Sequence, residues 1–163
     1  TVMSVHCVQD DFFTMYTKMH DHASMIAHGK PCVRISAIHG TRSMHPLALI
    51  NKATYGPVLD VRKGNSKGYW GQGIFFSMSA NYQHTMRFTY HPPSTATHWV
   101  LLCDILVGSM ERHSRTKFHT ESGVLDVTND KHDSVALVND NWQSYVLHEN
   151  SRVASMIAVE YRV

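Results

Sequence analysis

The residues best suited to chemistry fall in two short stretches. Ile38-His39-Gly40-Thr41-Arg42-Ser43 closes an alternating apolar and polar run, Val33 to His39, that reads as a strand. An imidazole at a strand end offers a donor and an acceptor for orienting hydroxyl groups. Gly40 has no side chain, so its backbone N–H and C=O are open to close approach. The second stretch is Gly68-Tyr69-Trp70-Gly71-Gln72-Gly73-Ile74-Phe75-Phe76-Ser77, followed by Ser79-Ala80-Asn81-Tyr82. Ser79 adds a hydroxyl, and Tyr82 adds a ring on which a flat group can stack. Each residue also has an ordinary reading: Tyr82 as a core aromatic, Ser79 as a helix cap, His39 as a satisfied turn residue.

The elements that must position these residues follow from periodicity. Phe12, Met15, Tyr16, Met19 and Ile26 recur at helical steps, with Asp10 or Asp11 as cap and Gly29-Lys30-Pro31 as terminator. After the strand Val33 to His39, a second helix is expected, with Ser43 or His45 as cap, Pro46 in its first turn, and Leu47 and Ile50 facing inward. Glycines punctuate residues 56–73, which read as a long loop of the kind that carries function. Ile74 to Phe76 is a short strand, and Ser79 to Phe88 a helix with Tyr82 and Met86 on one face. Trp99 to Val107 is the strongest strand, closed by Gly108. A polar, turn-rich region is expected to Asn141, then strands Ser144 to His148 and Met156 to Arg162. Helices early and strands late predict an α+β fold with a largely antiparallel sheet. Gly71-Gln72-Gly73 precedes a strand with no helix start behind it, so a dinucleotide-binding Rossmann reading fails. No glycine loop leads into a Walker lysine.

Composition bounds the remaining choices. A chain of 163 residues with 43% apolar content makes one domain, residues 1–163, with a real core. A formal charge of +2 with only Arg112, Arg115 and Lys117 close together is too thin for a nucleic-acid partner. The longest apolar run, Trp99 to Val107, is broken by Asp104, and no membrane span is expected. The thirteen histidines raise metal binding, but His20, His22, His28 and Cys32 match no established ligand spacing. Scattered surface and cap histidines account for them, and no metal is expected. Cys103 reads as a small buried hydrophobe. Free thiols in a reducing compartment are expected for Cys7 and Cys32, favouring nucleus or cytoplasm; a disulfide between them in a secreted effector stays open. The chain opens at Thr1 without a basic leader, as a mature or excised fragment would.

The two stretches, taken in order, resemble a known family. Ile38 to Ser43 is similar to the His-Gly-Thr signature of the poly(ADP-ribose) polymerase branch of ADP-ribosyltransferases. Gly68 to Ser77 with Ser79 to Tyr82 resembles its second signature, and Val100 to Gly108 its central strand. Asp133-Ser134-Val135 and Tyr145-Val146-Leu147-His148-Glu149 through Tyr161 resemble its closing strands. The resemblance covers roughly residues 33–163.

The resemblance implies the ADP-ribosyltransferase fold, with NAD as substrate in a cleft between mostly antiparallel sheets and a few flanking helices. It implies that His39 orients ribose hydroxyls, that Gly40 and Ser79 hold the nicotinamide amide, and that Tyr82 stacks on the ring. Thr41, Arg42 and Gly73 would also line the cofactor, with Tyr69 over the adenosine end. Cleavage of the nicotinamide–ribose bond passes through an oxocarbenium-like state, as in glycoside chemistry. Two positions depart from the family's His-Tyr-Glu set. Phe75 stands at the tyrosine position and keeps a stacking face without the hydroxyl. Ser144 stands at the glutamate position and cannot act as a base near neutral pH. Glu149, five positions on, is no convincing substitute. Polymer synthesis is therefore not expected. The expectation is mono-ADP-ribosyl transfer to a protein (or nucleic-acid) acceptor, with catalytic positions at His39, Phe75 and Ser144. The alternative is a noncatalytic member of the fold used for protein contacts. A binding module without a pocket finds support only in the histidines and the Arg112 to Lys117 cluster.

Overall fold

The computed structural model describes residues 1–7, 29, 33–51, 59, 73–113, 134–139, 142–148 and 152–163. Its described strands are β1 (Val2–Cys7), β2 (Val33–His39), β3 (Ile74–Ser77), β4 (His98–Val107), β5 (Met110–His113), β6 (Ser134–Asn139), β7 (Trp142–Leu147) and β8 (Val153–Tyr161). Among the described residues there are two short helices, α1 (Pro46–Asn51) and α2 (Ala80–Thr85). The eight strands form one sheet in the order β1-β8-β4-β2-β3-β7-β6-β5. Every neighbouring pair is antiparallel except β5 with β6. The expected α+β class with a mostly antiparallel sheet is what the chain adopts.

Strict alternation builds the strongest strand. Trp99, Leu101, Cys103, Ile105 and Val107 of β4 all point into the main core and are almost fully buried. They pack with Ala37, Ile74, Phe76, Tyr145, Leu147, Met156 and Ala158 from four other strands. The opposite face carries Asp104, the residue that interrupts the apolar run. Its carboxylate is satisfied within the sheet: the Ser36 hydroxyl donates to it at 2.8 Å and the Arg34 guanidinium pairs with it. A half-buried carboxylate is readily tolerated on such terms.

The sheet divides into two parts. β1, β8, β4 and β2 pair along most of their lengths, with β2 on β4 in unbroken register from Val33↔Val107 to His39↔Leu101. β3, β7, β6 and β5 make a second group of shorter strands. β2 joins β3 through one registered pair, Ile38↔Ser77. The candidate residues lie at this junction.

Several sequence expectations change. β1 was not anticipated; it pairs with β8 at an edge, and its exposed Val2, Met3 and Val5 give no inward-outward alternation to read. β5 and β6 occupy ends of the stretch expected to be turn-rich. α2 stops at Thr85, short of Phe88, so Met86 lies beyond the helix and is exposed, while Tyr82 is half-buried. The cap of α1 is His45, whose Nδ1 accepts from the Leu47 N–H at 3.2 Å. Cys103 is buried as expected, and burial, aided by Asp104, pushes its thiol pKa far up. The expected first helix, His20, His22, His28, Cys32, Tyr69, Arg115, Lys117, Glu149 and most of the 56–73 loop lie outside the described residues. Among the described residues no helix is long and apolar enough to cross a membrane.

Candidate functional site

Four elements meet at the junction: the end of β2, the end of β3, the segment Ser79 to Phe88, and β7. His39 is the last residue of β2. Its Nδ1 lies 2.8 Å from the Phe75 carbonyl oxygen, and its ring tilts against Phe76 at 5.5 Å between centroids. A carbonyl can only accept, so Nδ1 carries the proton and the other ring nitrogen, Nε2, presents a lone pair. Burial holds the His39 pKa below the ordinary histidine value, with the Phe75 carbonyl acting in the opposite direction. The ring is therefore a neutral imidazole of defined tautomer at neutral pH.

Strand parity separates the other members. β3 pairs with β7 through Phe75↔Val146 and Ser77↔Ser144, so Phe75, Ser77 and Ser144 share one face. Phe76 and Tyr145 take the core face. His39, opposite Leu101, falls on the core side and reaches the junction by bonding the Phe75 backbone. The structure thus brings His39 to the main chain of Phe75, and Ser144 beside Ser77, without placing the three expected catalytic side chains on one face. Ser144 and Ser77 are both buried.

Ser77 and Ser79 set the entry to α2. The Ser77 hydroxyl accepts from the Ser79 N–H at 3.1 Å, and the Ser79 hydroxyl accepts from the Tyr82 N–H at 3.2 Å. Ser79 is the helix N-cap, the ordinary reading of this residue. Its own O–H remains a donor, because accepting a bond does not consume the proton. The half-buried Tyr82 ring stands edge-on to Phe88 at 5.8 Å, and the Arg42 guanidinium lies over Phe88 at 4.5 Å.

The far end of α2 explains Gly40. Phe88 N–H bonds the Gln83 carbonyl and Arg87 N–H the His84 carbonyl, with Arg87 in the left-handed region at φ 56°. This is a Schellman ending with arginine where glycine is usual. It drives the Phe88 carbonyl against β2, where it accepts from the Arg42 N–H at 2.9 Å. A Cβ on Gly40 would sit 2.2 Å from the Phe88 oxygen, so only glycine fits. Gly73 is similarly closed in, by Val146 and the Leu147 carbonyl of β7. The Thr41 hydroxyl donates to the Met44 carbonyl in the turn before α1.

Gln83 was not singled out by the sequence. It is buried, and its side-chain amide donates to the Ile38 carbonyl at 3.2 Å, tying α2 to the end of β2. Its Oε1 is buried without a hydrogen-bond partner among the described residues, on the side of Gly40. No motif announces such a residue; the tie exists only once helix and strand are packed. Among the described residues no group of three or more His, Cys, Asp or Glu side chains is placed to hold a metal ion.

The junction can therefore offer a neutral imidazole acceptor, a serine O–H donor, glycine backbone and a half-buried tyrosine ring, with no carboxylate at position 144. Compared with known proteins, the chain matches no family model and no curated sequence.

Proposed function

We propose that this domain adopts the ADP-ribosyltransferase fold and holds NAD at the β2–β3 junction by its nicotinamide-ribose end, transferring a single ADP-ribose unit to a protein acceptor. The observation that carries the reading is that His39-Gly40, the Phe75 main chain and the Ser79 to Tyr82 turn meet at the β2–β3 junction, with Ser144 paired across from Ser77 on the opposite face of the sheet. The available groups fit the ligand's chemistry. A ribose hydroxyl can donate to His39 Nε2, the Ser79 O–H can donate to the amide oxygen, and the Tyr82 ring can stack on the nicotinamide. The bond between ribose C1′ and the nicotinamide nitrogen breaks with its electron pair going to nicotinamide. An acceptor carboxylate oxygen then forms the new bond to C1′.

Ser144 supplies no base, so a carboxylate acceptor that is already ionised suits this site better than a hydroxyl that needs deprotonation. The same substitution, with Phe75 at the tyrosine position, favours the second reading: a noncatalytic domain of this fold used for protein contacts.

Incubation with labelled NAD separates the two. Transfer of single units by wild-type protein, lost in His39→Ala while the fold persists, is the expected result. Orientation of this kind can lower a barrier by several kcal/mol, so the loss should be at least ~100-fold. Ladders of polymer would overturn the single-unit assignment. A wild-type protein that neither transfers label nor gains thermal stability from NAD would leave the noncatalytic reading standing.

A further inference from the structure

We propose that His84, His91 and His98 form an acid-sensitive latch that, with its rings neutral, fastens residues 79–91 to the paired ends of β4 and β8 and releases them on protonation. This goes beyond the NAD reading and stands without it.

The three rings come from a helix, a connection and a strand, yet they form one stack. His98 lies 4.6 Å from His84, edge to face, and 4.6 Å from His91, face to face. The Tyr161 ring of β8 stacks on His98 from the next strand at 5.6 Å. Each imidazole is also anchored through Nδ1. His84 contacts the Tyr161 hydroxyl at 3.0 Å, His98 the Thr89 hydroxyl at 3.2 Å, and His91 the Thr97 carbonyl at 2.9 Å.

The close packing of the three rings on one another suits uncharged imidazoles. A charge on one imidazole stacked on two others raises the cost of a second charge. The charged and titratable groups on the surrounding elements do not relieve it. On α2 and the connection they are His84, Arg87 and His91. On β4 there is His98, with Asp104 six residues on, engaged by Arg34 and Ser36. On β8 there are Tyr161, whose hydroxyl pKa is raised by burial, and Glu160, which alternates to the opposite face and accepts from Ser4. On β1 there is His6, bonded to Ser4 and stacked on Trp99, and just before the strand the Thr1 amino group is bonded to the Arg162 carbonyl. Burial, then His84 and His91, hold the His98 pKa below its ordinary value.

The sign follows. A histidine whose pKa is depressed by the fold contributes stability above its unfolded value of about 6.5, and loses it as pH falls through the folded value. Acidification therefore strains this corner. The strained segment carries Ser79 and Tyr82 at one end, and Phe88, packed on Gly40, near the other.

Amide hydrogen exchange of peptides covering residues 79–91, corrected for intrinsic rates at pH 7.5 and 5.5, tests the latch. Wild type should exchange severalfold faster at pH 5.5, and the double variant His84→Gln/His91→Gln should lose that acceleration. His39→Gln should keep it, because His39 lies outside the stack. Equal protection at both pH values, or acceleration that survives the double variant or disappears in His39→Gln, would overturn the proposal. Should the double variant fail to fold, His91→Gln on the exposed connection serves instead, read by NMR titration of the His98 ring. An upward move of the His98 midpoint is expected there, and an unchanged midpoint overturns the latch.

Discussion

The two groups of strands differ in how they earn their order. β4 is buried between β2 and β8, paired with β8 from His98 to Ile105 and with β2 from Leu101 to Val107, and its core-facing side chains are almost fully enclosed. β3 is four residues long and meets β2 at one registered pair. The first group is a scaffold; the second hangs its candidate residues on short elements held by side-chain ties and one tight glycine contact. Rigidity in the first is what makes such economy possible at the junction, since a four-residue strand has little independent stability.

The comparison breaks if a core deletion in β4 is cheap. Leu101→Ala removes a fully buried side chain from the middle of the paired strand, and a loss of about 2–5 kcal/mol is expected in urea unfolding. A loss below about 1 kcal/mol would mean that β4 is no scaffold. At the junction, Gly40→Ala sets a methyl group against the Phe88 carbonyl, and the α2 turn must retreat. Overpacking of this kind costs about 1–3 kcal/mol, less than the β4 deletion. The same variant should lose any thermal shift given by nicotinamide, whereas Leu101→Ala should keep it under conditions where it is folded. The smallest effect is expected at Arg87, the left-handed residue that ends α2. Arg87→Gly relieves the backbone at φ 56° and should raise stability by about 0.5–1 kcal/mol, after the extra freedom of glycine in the unfolded chain is offset. A fall in melting temperature would instead show that the arginine side chain matters there.

How much of this was legible depended on whether a residue's role was local. β2 was read with its bounds, and β4 to within one residue, because alternation on a buried strand is a local signal. β1 hid because an edge strand with both faces partly exposed has no pattern to keep. The end of α2 was misread because Arg87 gives none of the glycine or asparagine signal that marks a left-handed terminus. At the site, His39, Gly40 and Ser79 stood out by type and order. Their parity did not: the sequence could not say that His39 would bond the main chain of Phe75 from the core side. Gln83 and the imidazole stack are products of tertiary packing, with no spacing that announces them.

Thr1 and Arg162 hydrogen-bond each other. The Arg162 N–H donates to the Thr1 carbonyl at 2.8 Å, and the Thr1 amino group to the Arg162 carbonyl at 2.7 Å. Because β1 and β8 are antiparallel neighbours, a domain cut to residues 1–163 could be closed by a bridge of a few residues from Val163 to Thr1, with new ends opened at an exposed turn such as Pro93-Ser94. Such a circular permutant would keep every strand pairing of the sheet, and would let a reporter or affinity handle be moved from one corner of the domain to another without cutting the β2–β3 junction.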